Sequence, residues 1–145
     1  MGKASRDSKT MTALTIGRLR QAGLRPTRQR VELAGLLFKD RDRHVTAESL
    51  HDEIGRAGVK VSLATVYNTL HQFTQAGLLR EVAVDGTRTY FDTNVGDHHH
   101  FFVENDESLI DIPGPGVAVG ELPVPPEGME VARVDVIVRL RKKGG

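Results

Sequence analysis

The chain has no cysteine among its 145 residues. Disulfides are therefore excluded, and so is any metal site built on thiolates. No apolar run approaches the roughly 20 residues that a membrane-crossing helix needs, and no signal peptide is visible. These absences point to a cytoplasmic protein without a membrane partner. Net charge is also scarce, since 20 Lys+Arg nearly cancel 19 Asp+Glu to leave +1. That balance conceals an asymmetry. Residues 1–91 hold 15 Lys+Arg against 9 Asp+Glu, whereas residues 92–145 hold 5 against 10. A basic front half and an acidic back half suit a polyanion-binding module joined to something else. The length allows one domain or two small ones.

Lys and Glu are missing from one further place, the stretch from Ser62 to Phe73. Leu63, Val66, Leu70 and Phe73 recur there at helical spacing and form one apolar stripe. The opposite face carries Thr65, Tyr67, Asn68, Thr69, His71 and Gln72. A solvated helix face is ordinarily rich in Lys and Glu. A polar, uncharged face that both donates and accepts hydrogen bonds suits base edges and phosphates. Ser62 is a good N-cap and Gly77 a good stop. The plainer reading is an amphipathic helix with a polar back.

The surroundings favour the DNA reading. Residues 1–12 are polar and expected to be a disordered, basic arm. A first helix is expected over Leu14–Ala22, stopped by Gly23. Pro26 starts a second, which runs to about Phe38 and offers Arg28 and Arg30 to phosphates. Thr46 caps a third helix, closed by Gly58, on which His51 faces solvent. After the Ser62 helix come strands Leu79–Val84 and Thr87–Phe91, joined by Asp85-Gly86. Helices followed by a hairpin describe a winged helix-turn-helix over residues 13–91. The Ser62 helix would enter the major groove, and Arg88 on the wing would meet the backbone. Ser62, Thr65, Tyr67 and Asn68 complete the expected contact set.

Beyond Phe91 the composition changes. Residues 92–97 read as a hinge and residues 98–145 as a second domain. His98–Val103 and Ser108–Ile112 read as strands. Pro113 to Gly128 holds five prolines and four glycines, which excludes a regular helix. Met129–Leu140 reads as a strand with Ala132, Val134, Val136, Val138 and Leu140 on one face. Three strands bury too little surface to stand alone, so a second copy is expected to complete the sheet. A homodimer would also present two recognition helices to a palindromic operator. The expected class is α+β: a winged helix-turn-helix, then a small antiparallel β dimerisation domain.

His98, His99 and His100 are consecutive. On a strand His98 and His100 share a face, an arrangement that suits two metal ligands. Further candidates are Asp92, Asp111 and His44. Three imidazoles and two carboxylates, without thiolate, suit Fe²⁺, Mn²⁺ or Zn²⁺. The alternative is a surface histidine cluster with unrelated acids, and spacing alone does not decide between them. No spare acid, base or nucleophile accompanies the cluster, which disfavours a metal-dependent hydrolase.

Three blocks carry a family resemblance. Gly23-Leu24-Arg25-Pro26-Thr27-Arg28-Gln29-Arg30 resembles the start of the second helix in the ferric uptake regulator superfamily. His44-Val45-Thr46-Ala47-Glu48-Ser49-Leu50 is similar to the next block. Ser62-Leu63-Ala64-Thr65-Val66-Tyr67-Asn68-Thr69-Leu70 resembles the recognition helix. The match covers about Leu14 to Ile112. The spacing of His44, Asp92, His98, His100 and Asp111 resembles the regulatory metal site of the peroxide-sensing branch, which implies those five as ligands. The family's structural zinc site uses cysteines, absent here; the usual helix between the last strands gives way to the Pro/Gly stretch; no histidine follows His100; and Asn68 stands where many relatives carry Arg. The histidine run, the missing cysteines and the tail Val134–Arg141 look most like the iron response regulator branch. That resemblance implies a repressor of iron and haem homeostasis that binds a divalent ion and haem, with His98, His99 and His100 as candidate haem residues. The rival within the superfamily is a peroxide sensor in which an Fe²⁺-loaded site leads to oxidation of a ligand histidine.

Overall fold

The computed structural model describes the backbone of residues 2–144 and the side chains of residues 8–144. The chain forms two units, residues 1–95 and 96–145. It is α+β, helical first and then built on a small sheet.

The first unit runs α1 (Gly2–Gln21), α2 (Arg28–Leu37), β1 (His44–Val45), α3 (Ala47–Arg56), α4 (Leu63–Gln75), β2 (Arg80–Asp85) and β3 (Arg88–Asp92). Its helix starts follow from short polar side chains. Thr46 and Ser49 close a reciprocal capping box at α3, with Ser49 N donating to Thr46 Oγ1 at 3.1 Å and Thr46 N to Ser49 Oγ at 3.0 Å. Ser62 Oγ accepts from Thr65 N at 3.1 Å and opens α4. The α4 stop is a Schellman turn. Leu78 N reaches Phe73 O at 2.9 Å and Gly77 N reaches Thr74 O at 3.1 Å, with Gly77 at φ +82°. Only glycine takes that φ without a Cβ penalty. The core is continuous from α1 to β3 through Leu19, Leu33, Leu37, Leu50, Ile54, Val66, Leu70, Phe73 and Phe91.

Several expectations change. α1 begins at Gly2, so most of residues 1–12 continue a helix rather than form a disordered arm; Met1 lies outside the described residues. No proline interrupts this stretch, and Thr12 and Thr15 fold their hydroxyls back onto Ser8 O and Met11 O. The hairpin turn is centred on Gly86-Thr87 instead of Asp85-Gly86, because Asp85 pairs with Arg88. The Asp85 carboxylate accepts from Thr87 N, Thr87 Oγ1 and Arg88 N, which fixes the turn and holds its pKa below the ordinary aspartate value. β1 was not anticipated: His44 and Val45 form a strand that pairs with β3 in the order β1-β3-β2. Along α4, Leu63 is 40% exposed while Thr69 is buried. The apolar face therefore rotates toward Thr69, whose hydroxyl donates to Thr65 O at 2.8 Å and so satisfies itself inside.

The second unit holds β4 (His100–Val103), β5 (Ser108–Asp111) and β6 (Ile137–Leu140) in the order β5-β4-β6. β4 and β5 are antiparallel, but β4 and β6 are parallel, so the sheet is mixed rather than wholly antiparallel. The cause is topological. β5 ends and β6 begins at the level of His100, on opposite sides of β4. The long Pro/Gly connection carries the chain from one edge to the other at that end. The expected strand over Met129–Leu140 is confined to its last four residues. Among the described residues, no helix is long and apolar enough to cross a membrane.

Candidate functional site

In the first unit, the antiparallel register sets His44 directly opposite Asp92. Their side chains meet, with His44 Nε2 3.0 Å from Asp92 Oδ2. The second Asp92 oxygen accepts from Asn94 N at 2.9 Å, which fixes the carboxylate plane. Asp92 is the last residue of β3 and part of the first unit rather than of a separate hinge.

In the second unit, the β4–β5 register sets His100 opposite Asp111. Asp111 Oδ1 lies 3.3 Å from His100 Nε2 and 3.1 Å from His98 Nε2, so two rings converge on one carboxylate oxygen. The ring centroids are 4.5 Å apart. His98 precedes β4 and does not owe its direction to strand alternation. Its Nδ1 is 2.6 Å from Gly96 O, a contact that orients the ring and turns Nε2 toward Asp111. Donor atoms about 2.1 Å from one ion stand about 3 Å apart, depending on the coordination angle. The observed separations fit that figure, and they equally fit His–carboxylate hydrogen bonds. The donor set, imidazole nitrogen and carboxylate oxygen without sulfur, fits Fe²⁺, Mn²⁺ or Zn²⁺.

His99 turns elsewhere. Its Nδ1 accepts from Val136 N at 3.1 Å and its carbonyl accepts from Ile112 N at 2.9 Å. It therefore ties the Pro/Gly connection to β4. As a candidate haem residue it would have Nε2 alone to offer.

The expected DNA-contact residues divide. Tyr67 and Asn68 are exposed on α4. Ser62 and Thr65 sit at its first turn, where the Ser62 hydroxyl donates to Thr65 Oγ1 at 2.9 Å. Arg28 is exposed and paired with Glu32 at 3.3 Å, and Arg88 begins β3 on the wing. Arg30 bonds across the surface between helices: Nε and Nη2 donate to Gln72 Oε1 at 3.3 and 3.0 Å, and Nη1 donates to Arg25 O at 3.0 Å. Through Gln72 it ties α2 to α4. His71 is not on an open face. Its ring meets Phe91 edge-on at 5.5 Å and Tyr67 at 4.9 Å. His51 is held rather than solvated, with Nε2 2.9 Å from Val61 O.

Five residues carry structure that the sequence pattern did not mark. Arg43 forms a two-pronged ion pair with Glu53, Nη1 to Oε1 at 2.9 Å and Nη2 to Oε2 at 2.7 Å. That pairing lifts the Arg43 pKa and lowers that of Glu53. Thr93 bonds Arg43 through both backbone and hydroxyl. The adjacency of Arg43 to His44 and of Thr93 to Asp92 was the available signal. Arg56 and Lys60 line an open groove with Ser62 at the start of α4, two cations that helical periodicity could not place.

A profile of the ferric uptake regulator family matches residues 21–138. The ferric uptake regulation protein of Pseudomonas aeruginosa is 32% identical over 127 residues, covering 86% of this chain and 95% of its own. The peroxide-responsive repressor PerR of Staphylococcus aureus is 31% identical over 101 residues, covering 70% of this chain and 68% of its own. The solved structure of the ferric uptake regulator from Pseudomonas aeruginosa with manganese superposes with a TM-score of 0.66 at 29% identity, covering 88% of this chain and 96% of that one.

Proposed function

We infer the function from one premise: the chain belongs to the ferric uptake regulator family. It is a metal-responsive, DNA-binding transcriptional regulator and not an enzyme. Beyond that, we assign DNA reading to the winged helix of the first unit and dimerisation and sensing to the second. Tyr67, Asn68, Thr65 and Ser62 address the bases and nearby phosphates, while Arg28 and Arg88 address the backbone. The protein acts in the cytoplasm as a homodimer on a palindromic operator.

The observation that carries the sensing mechanism is the convergence of His98 and His100 on Asp111 in one unit, with His44 against Asp92 in the other. Neither set alone supplies the five or six donors that Fe²⁺ or Mn²⁺ takes. One ion held by all five residues would join the two units and set the spacing of the two recognition helices. A bound divalent cation supplies two positive charges that no side chain here provides. Asp92 and Asp111 neutralise it, and His44, His98 and His100 orient it. Coupling of about 1–3 kcal/mol between metal and DNA suffices for a switch.

The signal is iron or haem status in this reading, supported by the histidine run, the missing cysteines and the Val134–Arg141 tail, which resemble the iron response regulator branch. A peroxide-sensing reading is supported by the 31% identity to PerR. Titrating DNA with the protein in the presence and absence of Fe²⁺, Mn²⁺, Zn²⁺ and haem tests the regulator. DNA affinity that ignores all four would overturn it. Mass spectrometry of the Fe²⁺-loaded protein after peroxide separates the two signals: an added oxygen on His44 or His98 favours the peroxide sensor.

A further inference from the structure

The His44–Asp92 pair is bracketed by a second set of contacts inside the first unit. Arg43 precedes β1 and Thr93 follows β3. Arg43 N donates to Thr93 Oγ1 at 2.8 Å, and Thr93 N donates to Arg43 O at 3.0 Å. Any shift of β1 against β3 therefore moves the Arg43 backbone. The Arg43 side chain carries that movement away from the sheet. Its guanidinium grips both Glu53 oxygens and donates to Leu36 O at 3.4 Å. A two-pronged guanidinium–carboxylate pair fixes direction as well as distance. Glu53 lies on α3. Two residues earlier on the same helix, His51 Nε2 meets Val61 O at 2.9 Å. Val61 is the residue before Ser62, the N-cap of α4. Two residues on a helix face nearly opposite ways, so α3 stands as a rigid lever between the sheet and the start of α4.

We propose that Arg43 and Glu53 are positioning residues that transmit occupancy of the His44–Asp92 pair to the N-terminus of α4, where Ser62 and Thr65 lie. The proposal rests on the reading above that metal controls DNA affinity. A bridge that only stabilised the fold would change DNA affinity equally with and without metal. A transmitting bridge changes the ratio of the two.

The test uses the full chain, Mn²⁺ as the probe, and a duplex selected by the wild-type protein from a random-sequence library. Calorimetry gives Mn²⁺ affinity, and fluorescence anisotropy gives DNA affinity in both metal states. Glu53→Gln keeps the shape and removes the charge; Arg43→Lys keeps the charge and removes the fork. Both should hold Mn²⁺ within about threefold of wild type, while the with-to-without ratio of DNA affinity falls at least about fivefold toward unity. Exchanging the pair, Arg43→Glu with Glu53→Arg, should restore part of the ratio. Ratios that stay within about twofold of wild type overturn the proposal, as does a large loss of Mn²⁺ affinity, which would place the bridge in ligand binding. Should Glu53→Gln fail to fold, Arg43→Lys alone decides. A wild-type protein whose DNA affinity ignores Mn²⁺, Fe²⁺, Zn²⁺ and haem sinks the functional reading and this proposal together. An intact wild-type ratio with unaffected variants sinks only the proposal.

Discussion

Replacing Phe91 with leucine separates the fold's support of the recognition helix from its chemistry. Phe91 is fully buried and lies in the core cluster with Leu70 and Phe73. Its ring also meets Tyr67 at 6.3 Å and His71 at 5.5 Å, both edge-on. Leucine keeps most of the apolar volume, so the cavity cost is about 1–2 kcal/mol. Losing two aromatic contacts adds about 0.5–1.5 kcal/mol each, discounted because Tyr67 is partly exposed. The sum is about 2–4 kcal/mol. At about 4–8 °C per kcal/mol for a domain of this size, melting of the first unit should fall by about 8–30 °C. Function should fall too, because Tyr67 loses its buttress and can swing on the helix face. At a temperature where the variant is folded, preference for selected over random DNA should narrow while non-specific affinity holds. Calorimetric melting and competition anisotropy give both numbers. A variant that melts within about 2 °C of wild type and discriminates equally well would refute the claim that Phe91 sets Tyr67.

Other expectations follow from the two ligand sets, the wing and the Arg43–Glu53 bridge. His98→Ala and His100→Ala should each lower Mn²⁺ affinity tenfold or more by calorimetry; His99→Ala should leave it nearly intact, because His99 spends Nδ1 on Val136 N. Equal losses for all three would contradict the geometry. Arg88→Ala should weaken selected and random duplexes alike and flatten the dependence of log K on log salt by about one unit, whereas Tyr67→Ala should act mainly on the selected one. Glu53 has a lowered pKa because Arg43 donates to it. The bridge's contribution is therefore fully present above the ordinary glutamate pKa and is lost as pH falls through the depressed one. Urea midpoints of wild type and Glu53→Gln should differ at neutral pH and converge at pH values below the depressed pKa. Curves that stay parallel throughout would remove the bridge from the stability account.

Most of the helical architecture was legible because its signals are local. Thr46, Ser62, Gly58 and Gly77 mark helix ends through hydrogen bonds and φ angles that span a few residues. The ligand pairs were legible in composition but not in mechanism. Strand alternation was expected to align His98 with His100, yet His98 lies outside β4 and is aimed by its bond to Gly96 O. The Arg30 and His51 contacts were not legible for one reason. Each contact crosses between elements, Arg30 to Gln72 and His51 to Val61, and no helical period records what a neighbouring element offers. β1 escaped for a related reason: a two-residue strand has no period, and only its partner β3 defines it.

The last misfit is of a different kind. The alternation from Ala132 to Leu140 is a genuine strand signal, yet only Ile137–Leu140 pairs, in parallel with β4. Just before it, Val136 O accepts from His100 N and Val136 N donates to His99 Nδ1, so the chain is anchored as it joins the sheet. Upstream, Met129 and Val131 are exposed at 67% and 49%, and Val124 at 92%. Apolar side chains this open to water favour burial against another chain. A sequence that writes a long strand while its own chain completes only the end of it is consistent with a neighbour supplied from outside. A second copy of this chain, as proposed, would meet that need with the same residues on both sides, as two-fold symmetry requires. The Pro113–Gly128 stretch fits the same logic: its prolines lack the N–H that a ladder needs, so any pairing is deferred to residues 129–136.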